Sequence, residues 1–550
     1  MRPIPSLVLA ASVLTASTAQ AALVISNAAT KNVNCSSSVC TATAKNAVLN
    51  VSQLQGLLAA SDVTVSTGAG AQTIGVSAPL TWASTSRLTL SAANGVAIKS
   101  AVVVEGTGAI TIAASGDAVN FYPGGSISFW DNTSSLIIGG QSYTLVSDIA
   151  TLATKVSANS SGFYALAKNY DASGDSFSDS PVRTTLDGTF EGLGNTISNL
   201  SLNVFDPIVV GLFSEVDGTI RNLSLQADME CNVADNTADE AGLLVGENRG
   251  QLRNITVSGS VDCIRAFDVG GVVGDNLAPG VVSHVTANVA VLSERMHAVG
   301  GLVGVNTGTI QFSSASGNVE GADAGGLVGK TTGIVQDSHA SERVNFNTTA
   351  GLDAGGLAGD AQGTILRSFA TGNVNAKSYA GGLVGFANSL TVDQSFATGI
   401  ATSGRRQAGG LIGYANGFVT VTNSYARGAA NGGPGTVGYA GGLAGWFKVS
   451  GFSVTESYST GAPNAAKYTG GSVGDIVNAA TMTNVYWDLD TSGVSDPSKA
   501  VGNHPNFPGI AGLSDTALKS ALPSGFNPGT WGQSAGINNG YPYLLNNPPQ

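Results

Sequence analysis

Short apolar runs alternate with polar, glycine-rich turns along almost the whole chain. In Leu88-Thr89-Leu90 and Ile110-Thr111-Ile112, apolar and polar positions alternate strictly, which is typical of a half-buried β-strand. Clusters of Gly, Asn, Asp and Ser separate such runs and are typical of turns. The pattern predicts an all-β chain of many short strands. The stretch that most favours a helix is 151–170.

A glycine-rich anchor recurs ten times, at intervals of 25 to 32 residues. Each anchor is followed by a second pattern, of which GTILRSFATGNV is one copy. The anchors are VVGLFS (209–214), AGLLVGE (241–247), VGGVVGD (269–275), VGGLVGV (299–305), AGGLVGK (324–330), AGGLAGD (354–360), AGGLVGF (380–386), AGGLIGY (408–414), AGGLAGW (440–446) and TGGSVGD (469–475).

One repeat unit is too short and too rich in glycine to bury a core alone, so successive units must stack. We therefore predict a parallel β-helix, a solenoid of about ten coils, with further coils before it. Glycine pairs supply corners where a positive φ is needed or where a Cβ does not fit. The predicted organisation is a signal peptide (1–21), an N-terminal β-helical or capping region (22–150), a linking segment (151–205), the repeat solenoid (206–487) and a C-terminal cap (488–550).

The stretch AGGLVGKTTG (324–333) looks like a phosphate-binding loop, but its spacing is wrong. Four residues must separate the first glycine of that motif from the Gly-Lys pair. Counting back from Gly329 puts Ala324 at the first position, and the other anchors have no lysine where Lys330 stands. We expect Lys330 to be one variable surface residue in a repeated corner.

Four cysteines suit an oxidising compartment. Cys35 and Cys40 can close a small loop. Cys231 and Cys263 occupy nearly the same position in consecutive repeats, so stacking brings them to disulfide distance. Zinc is the alternative for four cysteines, but two isolated pairs without C-x₂-C spacing argue against it.

Aromatic side chains fall into two columns of the predicted stack. The first follows the Ser/Val of the second pattern, and we interpret it as a structural stacking ladder. The second follows the anchor at a variable position, which indicates an exposed turn. There Phe386, Tyr414 and Trp446 come from three consecutive coils and suggest a platform for sugar rings, with ordinary turn packing or contact with the C-terminal segment as the alternative. The first column is His339, Phe369, Phe396, Tyr425, Tyr458 and Tyr486.

Charge and hydropathy exclude several functions. The net charge is −12 and the 24 Lys and Arg are scattered, so no basic footprint for nucleic acid is present. Acidity leaves room for weak Ca²⁺ binding but does not establish it.

Residues 1–21 have the features of a secretory signal peptide with cleavage before Ala22, and no later run reaches the length of a membrane span. We expect a secreted or cell-surface protein exported by a Sec-type route.

The anchors GGLVG followed by S-[FY]-A-T-G-N-V resemble the GLUG motif of filamentous-haemagglutinin-like surface proteins and of some streptococcal immunoglobulin A peptidases. The flanking segments YALAKNYDAS, FEGLGNTISNLSL, NVYWDLDTSG and GYPYL resemble those of large bacterial adhesins. The resemblance covers roughly residues 80–545. It implies a right-handed parallel β-helix and a bacterial surface or secreted adhesin. The haemagglutinins carry a longer N-terminal secretion domain, whereas about 130 residues precede the linking segment here, so we do not expect export by their two-partner route.

The peptidase activity does not carry over, because the chain has no H-E-x-x-H motif. A polysaccharide lyase or hydrolase is the enzymatic alternative, since Asp323, Asp353 and Asp360 flank anchors and Arg405-Arg406 lie at a turn. Acidic turn residues are also ordinary in glycine-rich loops. The histidines are His284, His297, His339 and His504.

We therefore predict a non-catalytic adhesin or matrix protein without metal or cofactor, whose partners are glycans or host or abiotic surfaces. A purely structural envelope protein is the further alternative. Low charge and open β edges are compatible with self-association.

Overall fold

The computed structural model describes residues 21–114, 118–204, 209–231, 240–263, 268–293, 298–346, 352–448 and 451–549. The chain divides into two compact units, Met1–Leu145 and Val146–Gln550. Both units are stacks of parallel β-coils, about 16 turns in all, and the predicted β-solenoid is confirmed. The predicted signal peptide lies almost entirely outside the described residues. The helices are Val51–Leu58, Ile149–Ala158 and Asp515–Ser520, with 3-10 turns at Pro497–Lys499 and Asn538–Gly540.

In the first unit, coils with three sides form three parallel ladders. The hairpin Val33–Ser36 and Val39–Ala42 is antiparallel and carries the predicted Cys35–Cys40 disulfide. The first ladder consists of Ala47–Asn50, Ala22–Ser26, Thr73–Val76, Gly95–Ile98 and Val119–Phe121. The second consists of Leu80–Trp82, Ala101–Val104 and Ser126–Phe129. The third consists of Val39–Ala42, Val63–Ser66, Arg87–Ser91, Ala109–Ala113 and Ser135–Ile138, and the strand Gln141–Val146 pairs antiparallel with its last member.

In the second unit, the ten anchors form ten consecutive coils. A short strand precedes each anchor corner, and these strands make one ten-stranded parallel ladder. They are Val209–Val210, Glu240–Gly242, Asp268–Gly270, Ala298–Gly300, Asp323–Gly325, Asp353–Gly355, Tyr379–Gly381, Gln407–Gly409, Tyr439–Gly441 and Tyr468–Gly470.

A second ladder follows the anchor corner and pairs in the same coil order. Its strands are Phe213–Val216, Val245–Asn248, Val273–Asn276, Val303–Asn306, Val328–Thr331, Ala358–Leu366, Val384–Asp393, Ile412–Asn416, Ala444–Phe447 and Val473–Ile476.

The remaining sides of each coil come from the second sequence pattern. Long strands form these sides in the early coils, and short strand segments replace them later. They are Phe163–Leu166, Tyr170–Asp171, Thr189–Glu191, Thr196–Val204, Thr219–Cys231, Gln251–Asp262, Val281–Leu292, Thr309–Gln311, Ser314–Ala315, Val319–Gly321, Ile334–Gln336, His339–Ala340, Val344–Phe346, Phe369–Ala370, Val374–Ala376, Phe396–Ala397, Ala401–Ser403, Thr420–Thr422, Tyr425–Ala426, Ala430–Asn431, Phe452–Ser459, Pro463–Asn464, Ala480–Asp488 and Ile510–Leu513.

The predicted linking segment contributes to the stack. Its helix, Ile149–Ala158, begins at Asp148, whose carboxylate accepts the Thr151 N–H at 2.7 Å. Beyond the helix, Phe163–Leu166 pairs with Thr189–Glu191, which pairs in turn with Thr219–Cys231. The coil ladders therefore begin well before the first anchor.

In the second unit, the apolar side chains that point into the coils form one continuous core. In the coil of residues 323–346, Leu327, Val328 and Val335 are fully buried. Burial of apolar area stabilises a fold by about 25 cal/mol per Å², so a column of such residues favours stacking over separate units. Cys231 and Cys263 lie opposite one another on neighbouring coils and form the predicted disulfide, with a Cα–Cα distance of 4.5 Å.

Two corners of the coils carry polar ladders. At one corner, Asn248, Asn276, Asn306 and Thr331 are fully buried, and each amide donates to the side chain of the next coil at 2.7 to 3.0 Å. At the other corner, the N–H of each serine donates to the Oγ of the serine one coil on, at 3.1 to 3.2 Å. Each chain of bonds satisfies buried polar groups that stacking would otherwise leave unpaired. The serines are Ser313, Ser338, Ser368, Ser395, Ser424 and Ser457.

The predicted C-terminal cap does more than cover the last coil. Ile510–Leu513 adds a strand to Ala480–Asp488 and extends the ladder. The chain then turns back along the side of the stack. Asn547 Nδ2 donates to the carbonyl oxygens of Ser368 and Gln394, at 3.5 and 2.9 Å, several coils away from the end.

Candidate functional site

Two columns of side chains flank the anchor corner, and we call them together the anchor strip. The pre-anchor column is Glu240, Asp268, Ala298, Asp323, Asp353, Tyr379, Gln407, Tyr439 and Tyr468. The post-anchor column is Glu247, Asp275, Val305, Lys330, Asp360, Phe386, Tyr414, Trp446 and Asp475.

The post-anchor column was expected in an exposed turn, and that placement is wrong, although Lys330 is exposed as expected. The turn is made by the Gly-Gly-Leu of the anchor, and the variable residue lies within the strand that follows. Phe386 and Trp446 are half-buried there, and Tyr414 is only 6% exposed. Neighbours in the pre-anchor column cover these side chains.

Glycine brings the two columns together. A Cβ at Gly385 would lie 2.7 Å from the backbone nitrogen of Ala354 on the previous coil, and a Cβ at Gly359 would lie 2.8 Å from the carbonyl carbon of Asp323. Neither position has a positive φ. Of the two reasons expected for the anchor glycines, close backbone approach is the one that applies at these positions. Tyr414 consequently lies beside Tyr379, the pre-anchor residue of the coil before it.

Six aromatic rings form the aromatic half of the strip. Tyr414 lies at the centre, with its ring centroid 4.6 Å from Tyr379, 5.3 Å from Phe386 and 4.9 Å from Trp446. Tyr439 meets Trp446 edge-on at 5.6 Å and stacks on Tyr468 at 5.5 Å. Such separations are those of favourable aromatic pairs.

The structure thus brings Phe386, Tyr414 and Trp446 together in adjacent coils. Tyr414 and Tyr439 are both buried, at 6% exposed. The rings that remain partly open to solvent are Tyr379, Phe386, Trp446 and Tyr468. The sugar platform itself stays a prediction. The pre-anchor tyrosines, which the sequence analysis missed, have a signal in the sequence: each immediately precedes AGG or TGG, at Tyr379, Tyr439 and Tyr468.

Three exposed cations border the aromatic half. Arg406 lies 5.9 Å from the Tyr379 ring centroid and donates to its hydroxyl at 3.0 Å. Lys448 lies 5.8 Å from the Trp446 ring. Lys467 lies 5.3 Å from the Tyr439 ring and 4.9 Å from that of Tyr468. These are cation–π distances.

Carboxyl groups form the adjoining half. Asp323 and Asp353 are in register on neighbouring coils, as the enzymatic alternative required, and Asp360 lies beside Lys330 in the other column. Burial, together with the charges of Asp323 and Asp360, raises the pKa of Asp353 to about 8, against a lowering effect of Arg406. Burial, with a contribution from Asp360, raises the pKa of Asp323 to about 6. The pKa of Asp360 is also raised by burial.

Asp353 is the most buried carboxyl of this group, at 9% exposed, and its Oδ1 has no hydrogen-bond partner. A buried carboxylate without a partner is costly, so the group holds its proton at neutral pH. Arg406 is close enough to Asp353 to lower its pKa. The side chains of Arg405 and Arg406 are both exposed.

The predicted aromatic ladder forms in register on another face. His339, Phe369, Phe396, Tyr425 and Tyr458 stack with ring centroids 4.7 to 5.1 Å apart and nearly parallel planes. The C-terminal segment covers this ladder through Leu518, Phe526, Trp531, Tyr541 and Leu544.

The described histidines have structural contacts. His284 stacks on Phe312 at 4.9 Å, His339 belongs to the ladder, and His504 Nε2 lies 2.7 Å from the Ile476 carbonyl oxygen. His297 lies outside the described residues. In the part of the chain that the structure describes, no three His, Cys, Asp or Glu side chains are grouped so as to hold a metal ion.

Fold and strip define a repetitive β-solenoid protein with an aromatic and charged surface strip. Halomucin of Haloquadratum walsbyi is 34% identical over 152 residues, which are 27% of this chain and 2% of halomucin. The chain therefore spans a very small part of that relative. No family model and no solved structure matches the chain. Among the described residues, the helices are too short or too polar to cross a membrane.

Proposed function

We propose that the protein is an extracellular surface protein, an adhesin of the GLUG-repeat type, that binds glycans along the anchor strip. The observation that carries this proposal is the aromatic half of the strip, where three successive coils bring five rings together: Tyr379, Phe386, Tyr414, Tyr439 and Trp446. Sugar rings stack their apolar faces on aromatic side chains, and neighbouring coils, about 4.8 Å apart, repeat at close to the length of one pyranose unit.

Other features support an extracellular location. Both disulfides, Cys35–Cys40 and Cys231–Cys263, suit an oxidising compartment. The N-terminal sequence has the pattern of a Sec-type signal. The similarity to a segment of halomucin also supports a surface protein, because that relative is named as a mucin.

A glycan array probed with the full chain tests the proposal. Trp446→Ala should lose most of the binding seen with the native protein, because Trp446 is a partly open ring of the strip. Phe418→Ala is the matched control, since Phe418 is an aromatic residue 74% exposed outside the strip. Binding that survives Trp446→Ala, or that Phe418→Ala removes equally, contradicts the proposed site. The triple change that includes Tyr414 is a poorer test because Tyr414 is buried.

A polysaccharide-active enzyme is the second candidate, and the raised pKa values of Asp323 and Asp353 favour it. A protonated carboxyl beside an ionised one is the arrangement of a general acid and its partner. Incubation with a polysaccharide panel should release reducing or unsaturated ends if this candidate holds. If the polysaccharide is cleaved and Asp353→Asn abolishes the cleavage, the protein is an enzyme and not a binding protein.

A further inference from the structure

We infer that the glycan of the anchor strip is an anionic polysaccharide, one whose sugar rings carry carboxylate or sulfate groups. This inference rests on the proposed function and adds the charge of the ligand to it. Arg406, Lys448 and Lys467 carry the argument, because each places a positive charge on the rim of an aromatic ring while its own side chain remains exposed.

The charge around the aromatic half is opposite to that of the whole protein. The chain carries a net charge of −12, but residues 371–470 contain six Lys and Arg against only two acidic residues. Between Asp360 and Asp475 neither column of the strip contains a carboxyl group. The six cations are Lys377, Arg405, Arg406, Arg427, Lys448 and Lys467. Of these, Arg427 faces the C-terminal segment, where it lies over the Tyr541 ring and donates to Asn538.

The two acidic residues of this region face elsewhere. Asp393 accepts hydrogen bonds from Thr422 and Asn423 at 2.7 and 2.9 Å, on the corner that carries the serine ladder. Glu456 accepts the N–H of Asn527 from the C-terminal segment at 3.0 Å. Neither carboxylate is therefore in a position to neutralise the cations of the strip.

Two carboxyl groups border the aromatic half, Asp353 and Asp475, and burial raises the pKa of both, which makes them weaker counter-charges. Asp475 pairs in register with Trp446, and its charge interacts with that of Lys467. Asp353 pairs in register with Tyr379, whose hydroxyl accepts from Arg406. Because burial raises the pKa of Asp353 to about 8, it is mostly protonated at pH 7. The positive charge of Arg406 is then left available to a ligand.

The cations lie on both sides of the rings. Arg406 and Lys467 precede the pre-anchor strands, two coils apart, which places their backbones about 10 Å from each other. Lys448 follows Trp446 on the opposite side. A polysaccharide that lies along the strip would stack its rings on the aromatic half and present its anionic groups to these cations.

The experiment measures affinity of the full chain for polygalacturonate and for its fully methyl-esterified form, which keeps the sugar backbone and removes the charge. We expect the charged form to bind at least about tenfold more tightly, the effect of a single charge-assisted hydrogen bond. The double variant Arg406→Gln/Lys467→Gln should lose most of that preference. Lys45→Gln/Lys99→Gln is the matched control, since Lys99 also lies over a ring, that of Tyr122 at 5.1 Å, but far from the strip in sequence.

Two further probes define the chemistry. Dextran sulfate compared with dextran shows whether sulfate replaces carboxylate, and tighter binding of the sulfated form supports the inference. Poly-L-glutamate has the charge without sugar rings, and binding as tight as that of polygalacturonate overturns the inference. Equal affinity for the methyl ester, or an unchanged preference in the double variant, also overturns it. In either case, glycan binding that depends on Trp446 would leave the proposed function standing.

Discussion

The rings of Tyr379 and Tyr414 contact each other across the anchor corner, tilted by 37° with centroids 4.6 Å apart, although they belong to different coils and to different ladders. Their contact exists because the anchor glycines let the strand after one corner lie directly against the strand before the previous corner. The glycines that make the coil compact therefore also assemble the aromatic half of the strip. Fold and candidate site depend on the same residues.

The first prediction concerns this close approach. Gly385→Ala should lower the free energy of unfolding by about 1–3 kcal/mol, because the new Cβ would collide with backbone atoms of Ala354 that cannot rotate away. Chemical denaturation of the full chain measures the change. Gly435→Ala is the control, since nothing lies within 4 Å of a Cβ there, and its effect should stay within about 0.5 kcal/mol. Equal effects of the two substitutions would refute the explanation given for the anchor glycines.

The second prediction concerns the contact between the aromatic ladder and the C-terminal segment. Tyr458 donates its hydroxyl hydrogen to the Pro542 carbonyl oxygen at 2.7 Å, whereas the buried Tyr425 hydroxyl has no hydrogen-bond partner. Tyr458→Phe should therefore cost about 1 kcal/mol of unfolding free energy and speed proteolysis of the C-terminal segment. Tyr425→Phe removes the same atom without removing a bond and should be neutral or slightly stabilising. A larger loss for Tyr425→Phe would contradict this account of the ladder.

The third prediction is a pH dependence that Asp353 imposes. Its pKa is about 8 in the folded protein and about 3.9 in an unfolded chain, so between these values the folded state binds more protons. The contribution of Asp353 to the free energy of unfolding should be most favourable below about pH 4. It should fall as the pH rises towards 8, by at most about 1.4 kcal/mol per pH unit. Above pH 8 the loss from this group is complete.

Asp353→Asn should reduce the fall of unfolding free energy with pH, because the amide does not ionise. Denaturation midpoints measured from pH 5 to 8 check this prediction. Glu342→Gln, at an exposed position of the same unit, is the control and should leave the slope as in the native chain. A native slope that Asp353→Asn leaves unchanged would show that the carboxyl ionises normally.

The sequence predicts the coils and their register because the repeat carries that information in every copy. Aligning anchors suffices to place Phe386 beside Tyr414, and Cys231 beside Cys263. It does not show that the two strands flanking a corner pack against each other, because a glycine that allows close approach looks the same as one that turns the chain. The pre-anchor tyrosines were missed for this reason.

The position of the C-terminal segment could not be predicted from the sequence, because this segment is not part of the repeat. Asn547 contacts Ser368 across 179 residues of sequence, and the contact depends on a side chain that occurs once in the stack. Likewise the raised pKa of Asp353 follows from its burial between neighbouring coils. Composition and spacing identify the acidic residues but give no measure of that burial.

The most direct test of the central claim, glycan binding at the anchor strip, is a titration of tryptophan emission with polygalacturonate. Trp446 is the tryptophan in the strip, so the native chain should show a saturable change in emission. Trp446→Phe keeps an aromatic ring at the position and should still bind in a sedimentation assay with the polysaccharide, but without the change in emission. An emission change that persists in Trp446→Phe, or binding by the native chain with no change at all, would place the ligand elsewhere and contradict the account.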